Sequence, residues 1–126
     1  MIKFEREKVL LLHKYLTEQT GGSYGVRDMG LLESALENAY ATFDGKELYP
    51  SKEEKAASLA FSLISNHAFV DGNKRIGMYV MISFLEVNGI RLNFSDDELV
   101  ELGLGIAGGK IKFEEILNWI NQHKEV

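Results

Sequence analysis

The chain has 126 residues, of which 45% are hydrophobic and 26% charged, and it contains no cysteine. This size and balance exclude a disordered chain and predict that residues 1–126 form a single folded domain. The net charge of −5 disfavours nucleic acid and anionic membrane surfaces as partners, and the lack of cysteine excludes disulfides and zinc–thiolate sites.

The N-terminal sequence MIKFEREKVLLLHKYL lacks the basic start, continuous apolar stretch and cleavage site of a signal peptide. The longest apolar run, MYVMISFL, is far shorter than the roughly 20 residues that span a bilayer. We therefore expect a cytoplasmic protein with no membrane partner.

Apolar residues recur three and four positions apart along most of the chain, and Pro50 is the only proline. This pattern predicts an all-α protein of about six helices. The first helix is expected from about Glu5 to Gln19, ending at Gly21-Gly22. Its inward stripe is expected to consist of Val9, Leu12, Tyr15 and Leu16.

The second helix is expected to begin after Asp28, which can cap it, and to run from Met29 to about Ala41. The following segment, TFDGKELYP, contains the turn pair Asp44-Gly45 flanked by residues that could form a short ribbon. The Asp44–Pro50 segment is where a flap that holds a substrate would lie.

The third helix opens with a predicted capping box made by Ser51 and Glu54 and should run to about Asn66. A fourth helix is expected from Asn73 to Glu86, with Asn88-Gly89 ending it. Both helices are apolar on nearly every face, so they should form the buried central pair.

The fifth helix begins at a second predicted capping box, Ser95 and Glu98, and is expected to end near Ile106. Four glycines should break up its end: Gly103, Gly105, Gly108 and Gly109. The last helix is amphipathic and carries Phe113, Ile116, Leu117 and Ile120 on one face.

The stretch HAFVDGNKRIG, residues 67–77, places charged groups between the two most apolar helices. Lys74 and Arg75 fall in the first turn of the fourth helix, where a cation is unfavourable by about 0.3 to 1 kcal/mol. A bound polyanion would explain them, since its phosphate oxygens would meet free N–H groups and both cations. Gly72 lets the backbone approach a ligand, and Asn73 can cap the helix or donate to phosphate.

Two further residues of this stretch have chemistry that fits a phosphate site. Asp71 supplies one carboxylate, which together with nucleotide phosphates and water is an ordinary magnesium arrangement. His67 could accept a proton from an attacking hydroxyl, because imidazole is the side chain that titrates near neutral pH.

Structural interpretations of the same residues stay open at this point. His67 could be a polar helix cap, and Lys74 and Arg75 could pair with Asp71 or with other acidic residues. Ala68 and Phe69 are interpreted as core residues that anchor the loop. His13 and His123 have no metal-ligand spacing and are interpreted as structural. None of these four residues is assigned a role in the site.

At HAFVDGNKR the chain resembles the Fic/Doc superfamily, whose signature is His, any residue, Phe, any residue, Asp or Asn, Gly or Ala, Asn, Lys, Arg. The resemblance is closest to the Doc (death-on-curing) branch and extends to GVRDMGLLESAL, YPSKEEKAASLAFSLISNH and FLEVNGIRL. The sequence departs from many relatives at Ala68, where they have proline, and at Ile76, where they have threonine.

The resemblance implies a compact helical fold in which His67 is the general base, Asp71 binds Mg²⁺ and residues 72–75 hold the phosphates of ATP. In the Fic branch, a glycine replaces Lys74 and AMP is usually transferred. Doc proteins have the lysine and transfer the terminal phosphate instead, so a protein Ser/Thr kinase is the implied activity.

Doc proteins are toxins of toxin–antitoxin pairs, and the implied target is a threonine of elongation factor Tu, whose phosphorylation halts translation. The chain has no Ser/Thr-x-x-x-Glu-Gly/Asn pattern, the inhibitory helix of many Fic proteins, so a separate, Phd-like antitoxin is the expected partner. AMP transfer and a catalytically idle interaction module remain the alternatives, and the oligomeric state is not predicted.

Overall fold

The computed structural model describes residues 1–125. Over this range it contains six helices and one two-stranded ribbon, which confirms the predicted all-α class. In chain order the elements are α1 (Arg6–Thr20), α2 (Met29–Asn38), β1 (Thr42–Phe43), β2 (Lys46–Glu47), α3 (Lys52–Asn66), α4 (Asn73–Val87), α5 (Asp96–Ala107) and α6 (Phe113–His123). The end of the predicted domain, Val126, lies outside the described residues.

Three helices begin at the caps that the sequence predicts. The Asp28 carboxylate accepts a hydrogen bond from the Leu31 N–H at 3.0 Å. Ser51 and Ser95 both form complete capping boxes, in which the serine hydroxyl and the glutamate three residues later bond to each other's backbone N–H. These contacts satisfy N–H groups that the helix itself leaves unpaired.

The central pair is α3 and α4, as predicted. Nine residues of α3 and seven of α4 are buried, and the two helices pack against each other at the centre of the molecule. Helices α2 and α6 cover α3, whereas α1 contacts α4, so the loop that joins α3 to α4 lies beside α1.

The inward face of α1 differs from the prediction. Its buried residues are Val9, His13 and Thr17, whereas Tyr15 is 57% exposed. The prediction followed the apolar residues alone, but two polar side chains lie inward because both are hydrogen-bonded, His13 to the Asp71 carbonyl and Thr17 to the His13 carbonyl of its own helix.

The ribbon between α2 and α3 forms as predicted, with Thr42 opposite Glu47 and Phe43 opposite Lys46. Its base is tied to α3 by Lys55, which is only 1% exposed and donates to the Glu47 carboxylate and the Tyr49 carbonyl. Lys55 lies twelve residues before His67, or about 18 Å along the axis of an α-helix.

The glycines of α5 do not all break the helix. Gly103 and Gly105 lie inside it, and Gly108 is its C-cap. A Cβ on residue 103 would lie 3.4 Å from Met78 Cγ, and one on residue 105 would overlap the Ile111 side chain. These two glycines therefore serve close packing, which a rule based on helix propensity does not detect.

No helix within residues 1–125 combines the length and the apolar character that crossing a bilayer requires.

Candidate functional site

The residues of HAFVDGNKR form the tight loop between α3 and α4. His67 is the C-cap of α3 and has a left-handed conformation, with φ 49° and ψ 49°. Arg27 fixes it by donating from Nε to the His67 carbonyl at 2.7 Å and from Nη2 to the Asn66 carbonyl at 3.2 Å. Because these bonds use main-chain oxygens, the exposed imidazole of His67 stays available to a ligand.

The two residues after His67 anchor the loop in the core, as the sequence predicts. Ala68 and Phe69 are 0% and 2% exposed. The Ala68 carbonyl accepts from the Arg27 N–H at 2.7 Å, and Phe69 forms an isolated bridge with Val26. These contacts anchor the loop in the core, while His67 and Asp71 are exposed.

The Asp71 carboxylate is exposed and is oriented by two main-chain N–H groups. Oδ1 accepts from the Gly72 N–H at 2.8 Å and Oδ2 from the Ser23 N–H at 3.2 Å. A Cβ on residue 22 would lie 2.7 Å from Asp71 Oδ2, so a larger residue there would displace this carboxylate oxygen. Each oxygen keeps lone pairs for a cation.

Helix α4 begins without a side-chain cap. Its N-cap is Gly72, at φ 79°, a conformation that favours glycine. The Ile76 N–H bonds to the Gly72 carbonyl at 2.9 Å, and the N–H groups of residues 73–75 precede that bond. They lie at the positive end of the helix dipole.

Asn73 binds the loop and does not cap the helix. Its Oδ1 accepts from the Phe69 N–H at 3.0 Å, and its Nδ2 donates to the Phe69 carbonyl, also at 3.0 Å. One amide hydrogen is thus used inside the loop. Asn73 keeps the loop closed beside the helix start, and a contact with phosphate remains a prediction.

Lys74 and Arg75 are exposed, and neither takes part in an ion pair within residues 1–125. The alternative in which they pair with Asp71 is therefore not realised. Arg75 Nη1 lies 3.4 Å from the point where a Cβ on residue 72 would be, which places its guanidinium beside the helix start.

His13 also contacts the loop, although the sequence analysis assigned it no role in the site. It comes from the buried face of α1, and its Nε2 donates to the Asp71 carbonyl at 2.8 Å. Its ring stacks on Phe69 with centroids 3.9 Å apart and an interplanar angle of 15°. The available signal was the four-residue spacing from Val9 to His13, which places both on one helix face.

These residues fit a magnesium–nucleotide ligand. Among residues 1–125 there is no group of three or more His, Asp or Glu side chains that could hold a metal alone. A single carboxylate suits Mg²⁺, which usually keeps waters and binds substrate phosphates as well. The missing Cβ at Gly72 and the free N–H groups that follow it leave room and donors for phosphate oxygens.

Two surface cavities are not lined by the loop residues: one of about 470 Å³ lies between residues 3–7 and α2, and one of about 490 Å³ lies along α2. Both are lined by Glu33 and Glu37, whose carboxylates repel phosphate. We therefore place the candidate site at the loop, where the chemistry lies.

The Fic/DOC family model matches residues 3–85, which include the whole loop. A curated relative, Toxin Doc from Mycolicibacterium smegmatis, is 47% identical over 72 residues, which are 57% of this chain and 55% of the relative. The chain thus spans about half the length of that relative. Because the family model covers more than half of its residues, this protein belongs to the Fic/DOC family.

Proposed function

We propose that this protein is the toxin of a toxin–antitoxin pair and transfers the terminal phosphate of ATP to a Ser or Thr hydroxyl of another protein. The observation that carries the proposal is the open N-terminus of α4, with two unpaired cations in its first turn. The similarity to Toxin Doc supports the same conclusion.

Each residue of the loop has its own role in the proposed reaction. The N–H groups of residues 73–75, Lys74 and Arg75 bind the phosphates, and Asp71 holds Mg²⁺. When bound there, magnesium neutralises charge on the phosphate oxygens. His67 accepts the proton of the acceptor hydroxyl as its oxygen attacks the terminal phosphorus and ADP leaves.

Lys74 favours transfer of the terminal phosphate over transfer of AMP. A long cation in the first turn of α4 occupies space that a nucleotide diphosphate would need along the helix start. It also places a positive charge where negative charge develops on the oxygens of the transferred phosphoryl group.

The acceptor is a protein, and we take elongation factor Tu as the first one to test. Phe43 in the ribbon and Leu48 directly after it are 76% and 49% exposed and offer apolar contact surface for a protein. A folded acceptor is large enough to contact both the ribbon and the loop. The partner that restrains the activity is a Phd-like antitoxin chain.

ATP labelled separately at the alpha and gamma phosphates distinguishes the possible reactions. The purified protein is incubated with Mg²⁺, elongation factor Tu or a cell lysate, and either label. Gamma label on an acceptor is the expected result. Alpha label on an acceptor would identify an AMP transferase and contradict the kinase proposal. No label on any acceptor would instead support a catalytically idle interaction module.

Growth arrest provides the matching test in cells. Expression without an antitoxin should stop growth for the wild-type protein and not for a His67→Asn variant produced at the same level. Equal toxicity of the two would contradict the catalytic proposal.

A further inference from the structure

Two of the three buried positions on α1 are polar, which is unusual for a helix that packs on an apolar core. The Thr17 hydroxyl donates to the His13 carbonyl at 2.8 Å and is satisfied within the helix. His13, at 4% exposure, instead bonds to a residue 58 positions away. Burying an imidazole costs free energy unless it is hydrogen-bonded, so the bond to Asp71 is what allows His13 to be buried here.

The His13 ring contacts the loop at Phe69 and at Asp71 and lies close to Gly72. It stacks on Phe69, it donates from Nε2 to the Asp71 carbonyl, and Nε2 lies 3.6 Å from the point where a Cβ on residue 72 would be. Since the acceptor is a carbonyl, Nε2 carries the hydrogen.

The bond to the Asp71 carbonyl fixes more than one atom. A peptide bond is planar, so orienting this carbonyl also orients the Gly72 N–H, which donates to Asp71 Oδ1 at 2.8 Å. The same peptide plane leads directly into the N-cap of α4. The hydrogen bond from His13 therefore helps to orient both the Asp71 carboxylate and the first residues of α4.

We propose that His13 is a positioning residue of the candidate site: its hydrogen bond to Asp71 and its stacking on Phe69 hold the Asp71–Gly72 peptide so that the carboxylate and the N-terminus of α4 keep one fixed arrangement. The inference deepens the proposed function and rests on it. The hydrogen bond of His13 is to the Asp71 main chain and its stacking contact is with the Phe69 ring, so its assigned role is to act through Asp71 and not to accept the proton of the acceptor.

Four variants separate this role from general stability. His13→Gln keeps a donor near the position of Nε2, whereas His13→Met has a similar shape without one. His13→Asn has an amide that is one bond shorter and cannot reach as far. Val9→Ala, on the same buried face one turn earlier, weakens the packing of α1 without touching the loop.

Amide hydrogen exchange tests the loop without any ligand. The Gly72 and Ile76 amides should exchange about tenfold faster in His13→Met than in Val9→Ala, because the Asp71 carbonyl loses its partner. In His13→Gln they should stay within about threefold of the wild type. If His13→Met does not fold, His13→Asn takes its place with the same expectation.

Calorimetry with Mg-ATP then connects the loop to the ligand. We expect about tenfold weaker binding by His13→Met, less than about threefold by His13→Gln and no change for Val9→Ala. In the transfer assay, His13→Met should raise the magnesium concentration needed for half-maximal rate, and His13→Gln should restore it.

The outcomes separate the two proposals. Equal loop exchange in His13→Met and Val9→Ala, or in His13→Gln and His13→Met, overturns the role of His13. Wild-type protein that neither binds Mg-ATP nor labels an acceptor overturns the proposed function, and the exchange data still decide whether His13 holds the loop.

Discussion

The N-termini of α3 and α5 are closed by their own side chains, whereas that of α4 is left open. Both closed termini have a serine cap and acidic residues in the first turn, as the helix dipole favours. The start of α4 has a glycine N-cap, no acidic residue in its first turn, and the cations Lys74 and Arg75. Helix α1 also lacks a side-chain cap, but its first residue, Arg6, pairs with glutamates. Helix α4 combines an uncapped start with two cations that have no such pair among the described residues, at the point where His67 and Asp71 also lie.

Helix α3 shows what a satisfied cation at a helix start looks like. Lys52 is its first residue, but Lys52 Nζ donates to the Asn88 carbonyl at the end of α4, at 2.8 Å. Lys74 and Arg75 have no such partner within the described chain. The difference is consistent with the proposal that these two cations bind phosphate.

The largest expected effect is that of His67→Asn. Loss of a general base should lower the rate of phosphate transfer by about 10² to 10⁴-fold. Asparagine tolerates the left-handed backbone of this position and keeps the carbonyl that Arg27 binds, so the melting temperature should hardly change. His123→Asn is the matched control, measured well below both melting points, and it should retain transfer. Full activity of His67→Asn would remove the base from the mechanism.

Gly72→Ala should next show that the open terminus needs glycine. Gly72 and Gly21 have nearly equal φ values, 79° and 75°, so alanine at either position should cost about 1 to 2 kcal/mol in the free energy of unfolding. Of these two positions, a Cβ would have neighbours within 4 Å only at residue 72, where they are Arg75 and His13. Mg-ATP binding should weaken in Gly72→Ala alone, and equal binding by both variants would contradict the proposed approach of phosphate.

Removing the serine caps should affect stability and nothing else. Ser51→Ala and Ser95→Ala should each lower the free energy of unfolding by about 1 kcal/mol, measured by urea titration. Their Mg-ATP affinities should equal that of the wild type, because the closed termini have no role in binding. A cap variant that loses affinity as strongly as Gly72→Ala would erase the distinction between the two kinds of helix start.

The smallest expected effect is a pH-dependent change in stability on replacing His123, which lies outside the loop. Burial lowers the pKa of His123, but the Glu98 carboxylate and the Trp119 carbonyl, which accept from its ring nitrogens at 2.7 Å each, outweigh it and raise the pKa. The Ser95 N–H, and then the His123 ring, lower the pKa of Glu98.

These shifts give the sign of the pH dependence. The stability from a raised histidine pKa is fully present below the unfolded value and is lost as pH rises through the folded value. The stability difference between wild type and His123→Gln should therefore be larger at mildly acidic pH, with Glu98 still ionised, than at alkaline pH. Urea unfolding followed by the fluorescence of Trp119, the chain's only tryptophan, measures it. An equal difference at both pH values would contradict the charged pair.

The features that the sequence predicted well are set by neighbours in the chain. The capping boxes at Ser51 and Ser95 involve residues three positions apart, and the turn at Asp44-Gly45 involves adjacent ones. The end of α2 was predicted at about Ala41 but lies at Asn38, because the N–H groups of Tyr40 and Ala41 bond to carbonyls three residues earlier and form a turn.

The features that the sequence did not reveal depend on distant contacts. His13 turns inward because it meets Asp71, and Lys55 is buried because it meets the base of the ribbon. Periodicity ranks residues by hydrophobicity, so it directed attention to Tyr15 and away from His13. In the same way, the loop motif indicated which groups gather at the site, but not that Asn73 uses its amide to hold Phe69.

The most direct test of the account is a joint measurement of stability and binding on Lys74→Glu. Replacing a misplaced cation by an anion at the start of α4 should raise the free energy of unfolding by about 1 kcal/mol. The same change should abolish Mg-ATP binding in calorimetry. Lys52→Glu is the control: it loses the bond to the Asn88 carbonyl, so it should be less stable and still bind. A Lys74→Glu protein that is less stable than wild type, or that binds Mg-ATP equally well, would contradict the claim that α4 is left open for phosphate.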